Sequence, residues 1–308
     1  MKSWFFGSGI FAALCFREIA AQIRFDKVIT LPPRPAGRGK KLRPTPLEEE
    51  ARLLGYLPIH SSKPSSEHAL LEELENSPPD LALVIDFSSL IREPLLNGPK
   101  FGCFNIHPSL LPEYRGAAPI QRALMDGRTS TGVTVFRLVE SMDAGPILAR
   151  CYTQIGPETT AGELTGILAR EGSQIFLKSL ECLCGGYAEY IAQDNQAATK
   201  APKLDKSEER IDWNKTGESV HNLVRALNPS PGSYCLHQGK RLKVWKTLPV
   251  EGTFAPPGSI VRLEGESPLV ACSQGAILLL EVQPEGRNPA SGKDWARGCR
   301  IRQGDLLE

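Results

Sequence analysis

Asp80–Ile85 reads DLALVI and follows Pro78-Pro79, so a run of strand length carries almost no polar surface. So short an unbroken apolar segment fits a strand covered on both faces, which requires helices on both sides of its sheet. The flanking sequence supplies the parts. Trp4–Phe6 reads as a strand, Gly7–Gly9 as a tight turn and Phe11–Ile23 as a helix. Val28–Thr30 and Phe101–Ile106 read as further strands, with helical segments at Pro46–Leu54 and Ser66–Leu74. Strands alternating with helices at this spacing predict an α/β domain with a Rossmann-like parallel sheet.

The pattern then changes. Thr131–Val139 and Ile147–Ile155 alternate in hydrophobicity around the turn Ser141–Gly145. Leu164–Tyr190 is a long amphipathic stretch, broken at Gly185-Gly186, that closes a first domain over 1–190. Polar and small residues over 191–206 read as a linker. Beyond it, Glu218–Leu227 is helical and short strands recur near Ser233–Leu236, Leu242–Thr247, Ser259–Arg262, Leu269–Ala271 and Ile277–Val282. Strands this short, separated by Gly and Pro turns, predict a small OB-like β-barrel over 207–308.

The net charge is only +1, so any contact with nucleic acid has to come from a local basic patch. Cys182 and Cys184 form a lone C-x-C with no second pair, which argues against zinc; no metal is expected, and the eight cysteines read as reduced thiols. Lys2 followed by Trp4–Phe16 imitates a signal peptide, but Gly7 and Gly9 interrupt the run and Arg17-Glu18 close it without a small-residue cleavage site. No other apolar run nears the ~20 residues needed to span a bilayer. The expectation is a cytoplasmic monomer with no membrane partner.

Four segments carry candidate chemistry. Gly7-Ser8-Gly9-Ile10-Phe11-Ala12 fits the glycine fingerprint of dinucleotide sites, but no acidic residue ends the second strand. Arg34 leaves an NADP-binding oxidoreductase as one alternative; a turn that simply needs glycine is the plainer one. Asn105 and His107, two apart on a strand, point to one face about 7 Å apart. Asn offers a donor that does not titrate, and His a group that exchanges a proton near neutrality, as acyl transfer to an amine requires. A turn cap and a satisfied core histidine would explain the same pair. Asp143 sits in the turn Ser141–Pro146, as an ordinary turn residue or as a carboxylate orienting His107. Finally, Arg34–Arg43 (RPAGRGKKLR) holds five cations and no acid. A charge run is usually solvated surface, yet this loop is long for a βα connection and could order on RNA phosphates.

The segment FNIHPSLLPEYRGAAPIQRAL resembles the folate-dependent formyltransferases. RPAGRGKKL, KLDKSEERIDW and VRALNPSPGSYC resemble the branch of that family acting on methionyl-tRNA. That resemblance, from about residue 3 onward, implies a transferase using 10-formyltetrahydrofolate as co-substrate and methionyl-initiator tRNA as acceptor, in translation initiation. It implies catalytic roles for Asn105, His107 and Asp143, and folate contacts for Ser109, Leu110, Leu111 and Pro112. Arg38, Lys40 and Lys41 would bind tRNA at its acceptor end, and the C-terminal barrel would bind it further down. A formyltransferase acting on a sugar-nucleotide amine would share the trio but has no use for the basic loop or the barrel. One departure stands out: where the family has an Ala-Tyr-Gly-like turn shaping the folate pocket, this chain has Asp86-Phe87-Ser88-Ser89.

Overall fold

A computed structural model describes residues 1–36, 39, 41–252 and 256–308. They form two compact units: Met1–Gly116 with Ser130–Gln154 and Thr165–Ala201, and Ala117–Thr129 with Ile155–Leu164 and Pro202–Glu308. The division does not follow chain order.

The first unit is built on a seven-stranded sheet. In chain order its strands are β1 (Ser3–Gly7), β2 (Lys27–Thr30), β3 (Ile59–His60), β4 (Leu81–Ile85), β5 (Cys103–His107), β6 (Ser130–Arg137) and β7 (Ile147–Gln154). Their spatial order is β3-β2-β1-β4-β5-β6-β7. The strands from β3 to β5 are parallel, while β6 and β7 add an antiparallel edge. Every residue of β4 is buried, as continuous apolarity demands.

Helix α1 (Ile10–Ala20) packs Phe16 edge-on against Phe5 of β1. It ends short of the Ile23 expected from sequence. α2 (Pro46–Leu53) starts at proline, and the Thr45 hydroxyl accepts the Glu48 N–H at 3.1 Å as its cap. α3 (His68–Asn76) buries Leu70 and Leu74 in a cluster with Trp4, Phe6, Ala82 and Cys103, on the face opposite Phe5. In the basic segment, expected as a loop, Arg34–Ala36 pairs antiparallel with Lys41–Arg43.

In the second unit, α4 (Pro119–Met125) packs on a later helix, α6 (Gly217–Ala226). Between them in sequence comes α5 (Ala161–Gly185), most of which belongs to the first unit. There Gly172 lies so close to Ile106 that an added Cβ would sit 2.5 Å from its Cγ2. α5 therefore covers the Ile106 face of β5, leaving Asn105 and His107 on the other.

The barrel strands are β8 (Ser233–His237), β9 (Lys240–Val250), β10 (Ile260–Glu264), β11 (Ser267–Ala271) and β12 (Ala276–Pro284), antiparallel in the order β8-β9-β12-β11-β10. Register shifts in β9 near Trp245 bend the sheet. Residues 305–308 then join its two edges. Glu308 exchanges backbone hydrogen bonds of 2.6 and 2.9 Å with Leu236 of β8, and Asp305 accepts from Ile260 of β10 at 2.8 Å. A closed sheet has no unpaired edge. Its interior holds Trp213, Val244, Leu279 and Trp295, with Val220 and Val224 supplied one turn apart by α6. α7 (Gly292–Cys299), not anticipated from sequence, is capped by the Ser291 hydroxyl. Among the described residues no helix is long and apolar enough to cross a membrane.

Candidate active site

β5 places Asn105 and His107 on one face by strand alternation. Asn105 is half-buried, and its amide has no hydrogen-bond partner among the described residues. His107 is buried. Its Nε2 lies 2.9 Å from the carbonyl oxygen of Tyr114. A carbonyl only accepts, so Nε2 carries the proton and Nδ1 of the neutral ring presents a lone pair. That nitrogen faces Oδ2 of Asp143 at 3.8 Å.

The turn after β6 brings the aspartate there. Because β6 runs antiparallel to β5, its exit at Arg137 lies beside Phe104, at the amino end of β5. The turn must fold back along the sheet face to reach His107, rather than sit over the strand's carboxyl end as a parallel connection would. Gly145 permits that path: a Cβ there would fall 1.8 Å from the Arg137 carbonyl. Asp143 itself adopts φ 52°, and its Oδ2 accepts the Gly116 N–H at 2.8 Å. Tyr114, at φ 57°, is a second left-handed residue at the site. Such strained backbone persists where surrounding contacts over-determine it, commonly at functional sites.

Of the four residues assigned to folate, two have no accessible surface. Ser109 and Leu111 are fully buried, the Ser109 hydroxyl donating to Glu113 O at 2.6 Å and the Leu111 N–H to the Thr134 hydroxyl at 3.1 Å. They hold the loop in shape. Leu110 and Pro112 are half-buried and offer surface to a ligand. Of the three residues expected to bind tRNA, Lys41 is exposed on the short strand Lys41–Arg43, while Arg38 and Lys40 lie outside the described residues.

The departure at Asp86 has a structural account. Gly9, the N-cap of α1, has no side chain to satisfy the first N–H groups of that helix. Asp86, at φ 46° after β4, sets its carboxylate against Gly9 at this helix end, where the amides of Phe11 and Ala12 favour its charge. The residue as a whole is exposed, but its carboxylate lies directly over Gly9, and desolvation there pushes its pKa up to about 6 against the pull of the two amides. A dinucleotide's pyrophosphate would need this same helix end. The protein's own carboxylate fills it, which argues against the NADP alternative.

Sequence reasoning missed Gln193. Its Nε2 donates to the backbone carbonyls of Asp143 and Gly145 at 2.9 and 2.7 Å, and its Oε1 accepts from Arg115 at 3.1 and 2.7 Å. Nothing in its local sequence marks it. Tyr114 and Gly116 act through backbone groups, and only the motif containing them drew attention.

An imidazole lone pair beside a carboxylate, next to a half-buried amide with no partner among the described residues, has the groups that proton-coupled acyl transfer needs. Comparison with known families agrees. Residues 5–180 match the formyl transferase family and residues 203–300 the formyl transferase C-terminal domain. The chain belongs to the formyl transferase family. It is 36% identical to a methionyl-tRNA formyltransferase of Moorella thermoacetica, and 37% identical to one of Thermus thermophilus, each alignment covering 100% of this chain and 99% of the relative. Two solved structures share its fold at low identity. An N-formyltransferase from Helicobacter canadensis, in complex with folinic acid and dTDP-3-aminofucose, superposes with a TM-score of 0.66 at 18% identity, over 92% of this chain and 99% of that one. HypX from Aquifex aeolicus, in complex with tetrahydrofolic acid, has a TM-score of 0.66 at 17% identity, over 100% of this chain and 50% of the other.

Proposed function

We propose that this chain transfers the formyl group of 10-formyltetrahydrofolate to the α-amino group of methionine on initiator tRNA. The observation that carries the reading is similarity to methionyl-tRNA formyltransferases through both units, the barrel included. A sugar-nucleotide acceptor gives no reason for an exposed basic segment, and the sugar-linked structural relative is half as similar in sequence.

The chemistry follows from the side chains. A free α-amino group has a pKa of about 7.7–8.0, so a useful fraction is neutral near pH 7 and only a modest base is needed. The amine attacks the formyl carbon, and the carbonyl π electrons move onto oxygen. Asn105 donates to that oxyanion, and Nδ1 of His107 takes the proton that nitrogen loses. The Asp143 carboxylate stabilises the resulting imidazolium. Collapse breaks the bond to N10 of the folate, which receives a proton, releasing tetrahydrofolate and the formylated ester. Leu110 and Pro112 contact the folate, on a loop held by Ser109 and Leu111. Arg38, Lys40 and Lys41 bind tRNA phosphates, and the barrel binds the tRNA beyond its acceptor end. The enzyme works as a monomer in the cytoplasm, where its acceptor is consumed.

The test is incubation with 10-formyltetrahydrofolate and charged initiator tRNA, followed by analysis of the released amino acid. N-formylmethionine is expected, with no formylation of a dTDP-amino sugar. The reverse preference would overturn the reading.

A further inference from the structure

We infer that Gln193 is a positioning residue for formyl transfer, its amide holding the Asp143 turn in the one conformation that presents the carboxylate to His107; this rests on the function proposed above. Asp143 lies in the left-handed region, so its turn needs support from outside itself. The turn provides two backbone carbonyls, those of Asp143 and Gly145, and both accept from Nε2 of Gln193. The amide cannot rotate to offer its oxygen instead, because Arg115 donates to Oε1 through both Nε and Nη2. Arg115 is anchored in turn by Asn195 at 2.9 Å.

These hydrogen bonds belong to a segment that braces both sides of the site. Ile191 exchanges backbone hydrogen bonds of 2.8 and 2.9 Å with Ile147, at the exit of the Asp143 turn. Further along, Thr199 receives the Tyr114 N–H on its hydroxyl at 2.8 Å and the Arg115 N–H on its carbonyl at 2.9 Å. Lys200 and Ala201 then pair with Arg115 and Gly116. The strap thus holds the carbonyl that fixes the His107 tautomer, the N–H that orients the Asp143 carboxylate, and the turn that carries Asp143. Gln193 is the side chain within it that bonds directly to the turn backbone.

Gln193→Glu isolates the effect. The carboxylate keeps its length and remains an acceptor for Arg115, but it cannot donate to the two carbonyls and is repelled by them. Displacing a reacting group by about an ångström costs up to ~100-fold, so a kcat loss of at least ~10-fold is expected. KM for folate and for tRNA should stay within about twofold, as expected of a residue whose hydrogen bonds run to the Asp143 turn and Arg115. Gln193→Met, uncharged and of similar length, should lose activity likewise, with folding of each variant checked by thermal melting. The decisive measurement is the double variant with Asp143→Asn. A positioning role through Asp143 predicts no further loss from Gln193→Glu in that background; losses that multiply would overturn it, as would single variants with unchanged kcat. Wild-type protein that formylates no charged tRNA would refute the proposed function instead, which keeps the two failures distinct.

Discussion

Asp143→Asn tests whether the carboxylate acts by charge or by geometry. Oδ2 of Asp143 both accepts the Gly116 N–H and faces Nδ1 of His107. An asparagine oxygen in the same place keeps the Gly116 hydrogen bond, so the turn survives and only the charge is removed. Both side chains are largely shielded, at 6% and 12% exposure. Over 3.8 Å two unit charges attract by about 4 kcal/mol at an effective dielectric of ~20. With the proton about half transferred at the transition state, about 2 kcal/mol of this is available, or ~30-fold in rate. Single-turnover formylation of saturating charged tRNA should therefore slow by about that factor, while tetrahydrofolate binding, followed by fluorescence titration, stays unchanged. A rate within about threefold of wild type would refute the electrostatic role.

The other expectations concern separate parts of the molecule. Asn105→Ala removes an unengaged donor and should lower kcat by ~10²–10³ with an unaltered melting curve; near-normal turnover would exclude an oxyanion contact. Arg38→Ala and Lys41→Ala should raise KM for tRNA and reduce the log–log salt slope by about one for each phosphate no longer neutralised, leaving folate binding intact. An equal effect on a minimal amine acceptor would contradict the assignment. Asp86 titrates from 3.8 when unperturbed to about 6 in the folded chain, so the fold favours its protonated form. Its contribution to stability is complete below pH ~3.8 and is lost as pH rises through ~6. Urea unfolding of Asp86→Asn should show a variant more stable than wild type at pH 7, with the gap closing towards pH 4. A gap that widens on acidification would mean the charged form is the favoured one.

What the sequence determined by itself is what depends on local order: buried strands, helical faces, turns. DLALVI fits a covered strand because it is short, apolar beyond Asp80 and set off by Pro78-Pro79, and alternation alone put Asn105 and His107 on one face. The short C-terminal strands followed from their turns in the same way. α7 escaped notice because its helix signal is brief, and the pairing of Arg34–Ala36 with Lys41–Arg43 because charge and glycine obscured it.

Tertiary structure decided everything that joins distant residues through the backbone. The carboxylate at the start of α1 comes from Asp86, the Asp143 turn folds back because β6 is antiparallel, and the chain returns with Gln193 to brace it. The tautomer of His107 depends on the Tyr114 carbonyl, a group every residue possesses, so no side-chain pattern could announce it. Sequence records which side chains are available; which backbone donor or acceptor each one meets is settled only when segments far apart in the chain pack together and must pair their buried polar groups.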